Sequence, residues 1–289
     1  MELDSVLDTV YTGIDVVFTT QLKQADGTKN YCKQLPVTYQ QDDKRLHQFD
    51  QEIKFMESMI NNKGTLTGRR SMIGGNPAIL YDYMEYHSLG NIIKDCVVTD
   101  QRIPLSLGIN WSLSLIENIE QLWTAAEAFG RTDIDIAIWP QTLFIDKSGN
   151  LVITHYSLNS PPSISSSIIK HNLKHYFLYA APEQRIAGYT PDQRSLYFVL
   201  GMLLFELLTS KPLFTKRSAV DPKQVVRRKL RNLHPLLSDA DPHLKPINSI
   251  NNELLTPHPD NRLVQLAVVK NKLLEFQQQI KLVDNQYGN

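Results

Sequence analysis

The chain has 289 residues, 42% of them hydrophobic and 21% charged, enough apolar content for a large core and too much for a disordered or fibrous class. Lysine plus arginine equals aspartate plus glutamate at 30 each, so no global field directs the molecule to nucleic acid, an anionic membrane or an acidic substrate, and any electrostatic preference is local. Two cysteines, Cys32 and Cys96, at no paired spacing exclude a disulfide framework and a clustered zinc site and predict a reducing compartment. The Met-Glu-Leu-Asp start lacks the basic-then-apolar order of a signal peptide, and the longest apolar run, Leu196 to Phe205, is about half a bilayer span. The expectation is a cytoplasmic chain with no membrane contact.

The first third reads as strand-rich. Val10 to Leu22 carries β-branched and aromatic residues, Gln24 to Thr28 with its Asp-Gly step reads as a hairpin turn, and Tyr31 to Leu35 as a further strand. His47 to Ile60 places Phe49, Ile53, Met56 and Ile60 on one helical face. A polar connection from Asn61 to Asn76 leads to Pro77 to Tyr86, apolar enough for two strand segments.

Beyond this point helices dominate. Trp111, Leu115, Ile119, Leu122 and Ala126 share one face of a long amphipathic segment ending near Gly130. Thr142 to Ile145 and Leu151 to Thr154 read as a hairpin around Asp146-Lys147-Ser148-Gly149-Asn150. Serine and proline dominate Asn159 to Ser167, an expected exposed loop. Helical patterning resumes after Pro191 and runs to about Phe276, and the glutamine-rich end from Gln277 to Asn289 reads as a frayed tail.

One constellation stands out. Tyr179-Ala180-Ala181-Pro182-Glu183 is followed by the apolar run Ser195 to Thr209, by Lys211-Pro212-Leu213-Phe214, and finally by Pro259-Asp260-Asn261-Arg262. Together these resemble the Ala-Pro-Glu motif of protein kinases, the buried helix after it and the arginine that neutralises its glutamate. The resemblance implies a pair of Glu183 with Arg262. It also implies that Lys33, in Tyr31-Cys32-Lys33, pairs with Glu52 on the small-lobe helix, and that Met84, Glu85 and Tyr86 form the hinge, with Met84 as gatekeeper. It spans Val6 to Phe276. The implied fold is α+β and two-lobed: an antiparallel-sheet lobe with one helix (1–86), a mainly helical lobe (87–276) and a polar tail (277–289).

The catalytic segments depart from the family. With the hairpin turn as anchor, Ala137 stands where the family has the aspartate that orients the substrate hydroxyl, and Trp139 where it has the catalytic-loop lysine. Thr142 replaces the metal-binding asparagine, and His155 the metal-binding aspartate. Only Pro140 of the second motif survives. Of the glycine-rich loop only Gly13 remains, with Asp15 directed at any phosphate, and Leu196 replaces the aspartate that anchors the catalytic loop. Without these oxygen ligands a magnesium site is not expected. The resemblance therefore implies a degenerate kinase, or pseudokinase, acting in signalling or scaffolding by binding a protein. Its only cofactor would be ATP held without magnesium by Lys33, Glu52, Met84, Glu85 and Tyr86.

Alternatives stand beside these readings. Lys33 with Glu52 equally makes a structural ion pair. Asp133 and Asp135 could form a replacement acid site, so an atypical kinase or other nucleotide-dependent transferase built on Lys33, Glu52 and Asp135 is the competing class. His155 lacks histidine or cysteine partners at ligand spacing. Lys216, Arg217, Lys223, Arg227, Arg228, Lys229 and Arg231 face a single acid, Asp221, with no interleaved aromatics, which fits a solvated face or a docking face for an acidic protein, not nucleic acid. Ser160 to Ser167 offers hydroxyls for phosphorylation. The small lobe is also similar to the kinase-like modules at the front of multidomain sensor histidine kinases.

Overall fold

The computed structural model describes residues 2–12, 15–23, 29–35, 40–59, 68–82, 87–130, 138–153, 178–185, 192–214, 231, 234–262 and 265–287. Five strands form an antiparallel sheet in the order β1-β2-β3-β5-β4: β1 (Glu2–Thr12), β2 (Asp15–Lys23), β3 (Lys29–Gln34), β4 (Arg69–Ile73) and β5 (Asn76–Asp82). The sheet begins earlier than the apolar pattern suggests. β4 lies inside the stretch read as a polar connection, because Arg69, Arg70 and Met72 of this edge strand face solvent and carry no alternation to read. Gly74 and Gly75, both at positive φ, close the β4–β5 hairpin.

Helix α1 (Asp43–Ser58) starts at Asp42, whose carboxylate accepts from the amides of Lys44 and Arg45 at 3.1 and 3.2 Å. It buries Phe49, Ile53, Phe55 and Met56 and, on the same face, Glu52. Its exposed face is tied to the edge strand by Arg70, which donates to Asp50 at 2.8 Å and Glu57 at 3.2 Å.

A second sheet, β6 (His87–Ser88), β7 (Leu143–Ile145) and β8 (Leu151–Ile153), follows the first. Asp146 organises the β7–β8 turn by accepting from the amides of Ser148 and Asn150, with Gly149 at φ 81°. Helices α2 (Leu89–Thr99) and α3 (Leu105–Ala128) lie between β6 and β7 in sequence, and α3 grips the hairpin through Trp111 to the Gly149 carbonyl and Asn118 to the Leu151 carbonyl.

Helix α4 (Gln193–Thr209) is the axis of the large lobe: every residue from Ser195 to Thr209 is buried. Close approaches explain why. A Cβ on Gly108 of α3 would lie 2.6 Å from the Leu207 carbonyl oxygen, and one on Gly201 would lie 2.8 Å from the Leu254 side chain, so glycine lets the backbones meet. The one-turn helix α5 (Leu237–Ala240), α6 (Asn248–Leu254) and α7 (Leu266–Tyr287) complete the lobe. α7 continues through the segment read as a frayed tail, because Phe276 is buried, Ile280 packs on the core and Gln277 donates to Asn110 of α3 at 2.6 Å. No helix among the described residues is long and apolar enough to cross a membrane.

Candidate functional site

Lys33 lies on the central strand β3, paired with Thr19 of β2 and Ile79 of β5, so its backbone is held on both sides. Its ammonium donates to Glu52 of α1, and both side chains are only 2% exposed. The sequence expectation that these residues meet is met by the geometry. Two opposite charges so completely removed from water sustain each other; deleting either leaves the other buried and uncompensated.

The segment leading into β7 is a 3-10 turn, Pro140–Thr142, preceded by Trp139 in extended conformation. Trp139 belongs to the hydrophobic core at 7% exposure. The Thr142 hydroxyl is spent on the turn itself: it accepts from the Trp139 amide at 3.1 Å and donates to the Trp139 carbonyl at 3.0 Å. The Trp139 indole is thus part of the core, and the Thr142 side chain caps the turn. Ala137, His155, Met84, Glu85, Tyr86, Gly13, Asp133, Asp135 and Ser160 to Ser167 lie outside the described residues, as does the basic run except Arg231, which sits exposed in a turn.

The Glu183–Arg262 pair forms as expected. Arg262 donates to Glu183 Oε1 at 2.7 Å and Oε2 at 3.2 Å, to the carbonyls of Thr256 and Pro257, and to that of Arg194 at the start of α4. Ser195 adds a hydroxyl to Glu183 at 2.9 Å, and the guanidinium lies 5.1 Å from the Phe198 ring centroid. Leu196, next to Ser195 on the same helix, is buried in the core.

One buried cluster escaped the sequence reading. Glu206, in the last turn of α4, receives the Tyr179 hydroxyl at 2.9 Å to both carboxylate oxygens and the Leu213 amide at 3.1 Å. Burial pushes its carboxyl up to about 7, against the smaller opposing effect of those hydrogen bonds. Burial likewise holds the Tyr179 phenol well above its ordinary value, reinforced by Glu206. The signal available was a lone glutamate inside Leu203-Leu204-Phe205-Glu206-Leu207-Leu208.

No family model matches the chain. The solved kinase domain of PknI from Mycobacterium tuberculosis superposes with a TM-score of 0.61 at 18% identity, covering 95% of this chain and 94% of that one. The fold is that of a protein kinase domain. A single-substitution mutant of the same domain gives a TM-score of 0.62 at 17% identity over the same coverage. In sequence, the kinase-like chain is 27% identical over 150 residues to the serine/threonine-protein kinase PrkC of Bacillus subtilis. That stretch is 51% of this chain and 22% of PrkC, so the kinase-like chain matches about a fifth of that protein's length.

Proposed function

We propose that this kinase-like chain is a pseudokinase: a signalling or scaffolding module that binds a protein partner, with a nucleotide site that works without magnesium. The observation that carries the reading is the pairing of an intact Lys33–Glu52 bridge with Trp139 and Thr142 sequestered in the core and in a backbone cap. Phosphoryl transfer needs cations on the phosphates and a carboxylate on the attacking hydroxyl. At the positions aligned with those roles the sequence has Ala137, Trp139, Thr142 and His155. What remains is one ammonium, Lys33, oriented by Glu52, sufficient to meet the phosphates of ATP as a charge and insufficient to activate them. The basic residues Lys216, Arg217, Lys223, Arg227, Arg228 and Arg231 would dock an acidic polypeptide.

The second reading, an active kinase with rewired residues, is favoured by the same Lys33–Glu52 bridge and by the match to PrkC. A thermal-shift titration with ATP, with and without magnesium or manganese, separates the two when run with Lys33→Ala and with labelled ATP to detect transfer. The pseudokinase reading expects a metal-independent shift, lost in a Lys33→Ala protein that circular dichroism shows to be folded, and no transferred label. A shift that requires metal, accompanied by label on protein, overturns it in favour of the active kinase. No shift under any condition, with no transfer, removes the nucleotide site and leaves the scaffold.

A further inference from the structure

Glu206 is a carboxylate with 1% exposure whose partners are all neutral: the Tyr179 hydroxyl and the Leu213 amide. No cation among the described residues answers it. The charged side chains on the elements around it are engaged elsewhere, exposed or, for the half-buried Glu120 of α3, directed at Tyr197 in the first half of α4. Glu183, in the same 178–185 segment as Tyr179, pairs with Arg262. Glu117 of α3 pairs with Lys270, Asp239 of α5 accepts from the Leu236 amide, and Glu253 of α6 and Lys211 after α4 are exposed. A buried charge without a counter-ion costs far more than a buried neutral acid that keeps its hydrogen bonds.

The hydrogen-bond geometry accommodates the neutral form without rearrangement. Oε1 accepts from the Leu213 amide, while Oε2 meets the Tyr179 oxygen alone. A proton on Oε2 therefore has an acceptor 2.9 Å away in the tyrosine oxygen, and every polar atom of the cluster stays satisfied. Removing that proton leaves the tyrosine hydroxyl only as a donor to the two carboxylate oxygens and a negative charge facing two neutral groups. Position gives this titration its reach. Tyr179 stands four residues before Glu183 and its Arg262 junction, and Leu213 lies just beyond the end of α4, so one carboxyl ties both to the lobe's axis.

We propose that Glu206 is a proton-operated latch, closed when neutral and loosened when ionised, that holds the 178–185 segment and the end of α4 together. Burial sets its carboxyl at about 7, so the latch works across the neutral range. The inference does not depend on whether the chain transfers phosphate.

Native-state hydrogen exchange of the full chain tests it. Protection of amides 178–185 and of Leu213, corrected for intrinsic exchange, is expected to fall about tenfold or more between about pH 5.5 and about pH 8.5 in the wild type, and to stay level in Glu206→Gln. Tyr179→Phe, which removes the acceptor for the Oε2 proton, is expected to move the midpoint of the change. Carbon-13 NMR of the Glu206 carboxyl in the wild type reads the titration directly and needs no variant to fold. Equal pH dependence in wild type and Glu206→Gln, or a Glu206 carboxyl titrating at about 4 to 5 like an ordinary carboxylic acid, overturns the latch.

Discussion

Replacing Arg262 by methionine keeps most of the side chain's length and apolar volume but removes every donor it supplies. Glu183, 2% exposed, would keep only the Ser195 hydroxyl, and the carbonyls of Arg194, Thr256 and Pro257 would lose the guanidinium that now reaches each of them. Breaking one side of a buried ion pair costs about 3–5 kcal/mol, mostly through the charge left behind. Against a total stability of about 5–15 kcal/mol for a domain, Arg262→Met should lower the urea midpoint severely or leave the large lobe unfolded. Glu183→Gln retains acceptors for Ser195 and for one guanidinium nitrogen and should cost less. The double variant Glu183→Leu with Arg262→Met removes both charges, so its loss should fall short of the sum of the single losses by about 2 kcal/mol or more. Urea unfolding followed by far-ultraviolet circular dichroism measures all of these. An Arg262→Met cost under about 1 kcal/mol, or strict additivity in the cycle, would refute the view that this junction is a desolvated ion pair holding Glu183 to α4.

Other outcomes follow from the same geometry. Gly108→Ala should cost about 1–3 kcal/mol in urea unfolding, because the new methyl group meets a backbone carbonyl of α4 that cannot step aside. Asp100 and Ser210 are both left-handed, at φ 53° and 57°, yet glycine should act oppositely at the two. Asp100→Gly relieves an exposed helix end and should stabilise by about 0.5 kcal/mol, whereas Ser210→Gly strips the buried Ile103 amide of its acceptor at 2.8 Å and should destabilise by about 1 kcal/mol net. For Glu206, the folded carboxyl sits above its ordinary 4.5, at about 7. Its favourable contribution is therefore complete below about pH 4.5 and lost as the pH rises to about 7. The stability of wild type minus that of Glu206→Gln should fall by about 3 kcal/mol across that window and remain level above it, as read by denaturation at fixed pH.

Much of this arrangement was legible because function and burial leave the same trace, a charge where periodicity demands an apolar residue. Glu52 stands on the face of α1 defined by Phe49, Ile53 and Met56, and Glu183 and Arg262 flank the apolar run that became α4; each found its predicted partner. Glu206 carried the same trace and was passed over, because its partners are a tyrosine and a backbone amide, which no sequence spacing announces. β4 was hidden by exposure, since an edge strand with solvated arginines looks like a loop. The last turns of α7 were hidden by composition, since glutamines with one apolar contact per turn read as a tail while Gln277 and Ile280 still bind the lobe. That Trp139 is buried rather than aimed at a ligand could not be read from its type, because tryptophan serves equally in cores and in pockets.

The burial of α4 on every side also bears on how the chain is made. As the ribosome releases residues 193–209, their apolar surface can lean on α3, already synthesised, but the side that Gly201 turns to Leu254 and Leu255 has no cover until some fifty further residues emerge. A chain truncated or stalled after Phe214 therefore presents a bare greasy rod to its neighbours. Soluble expression of the large lobe should require synthesis through α6, and fragments ending earlier should collect in the insoluble fraction or on holding chaperones.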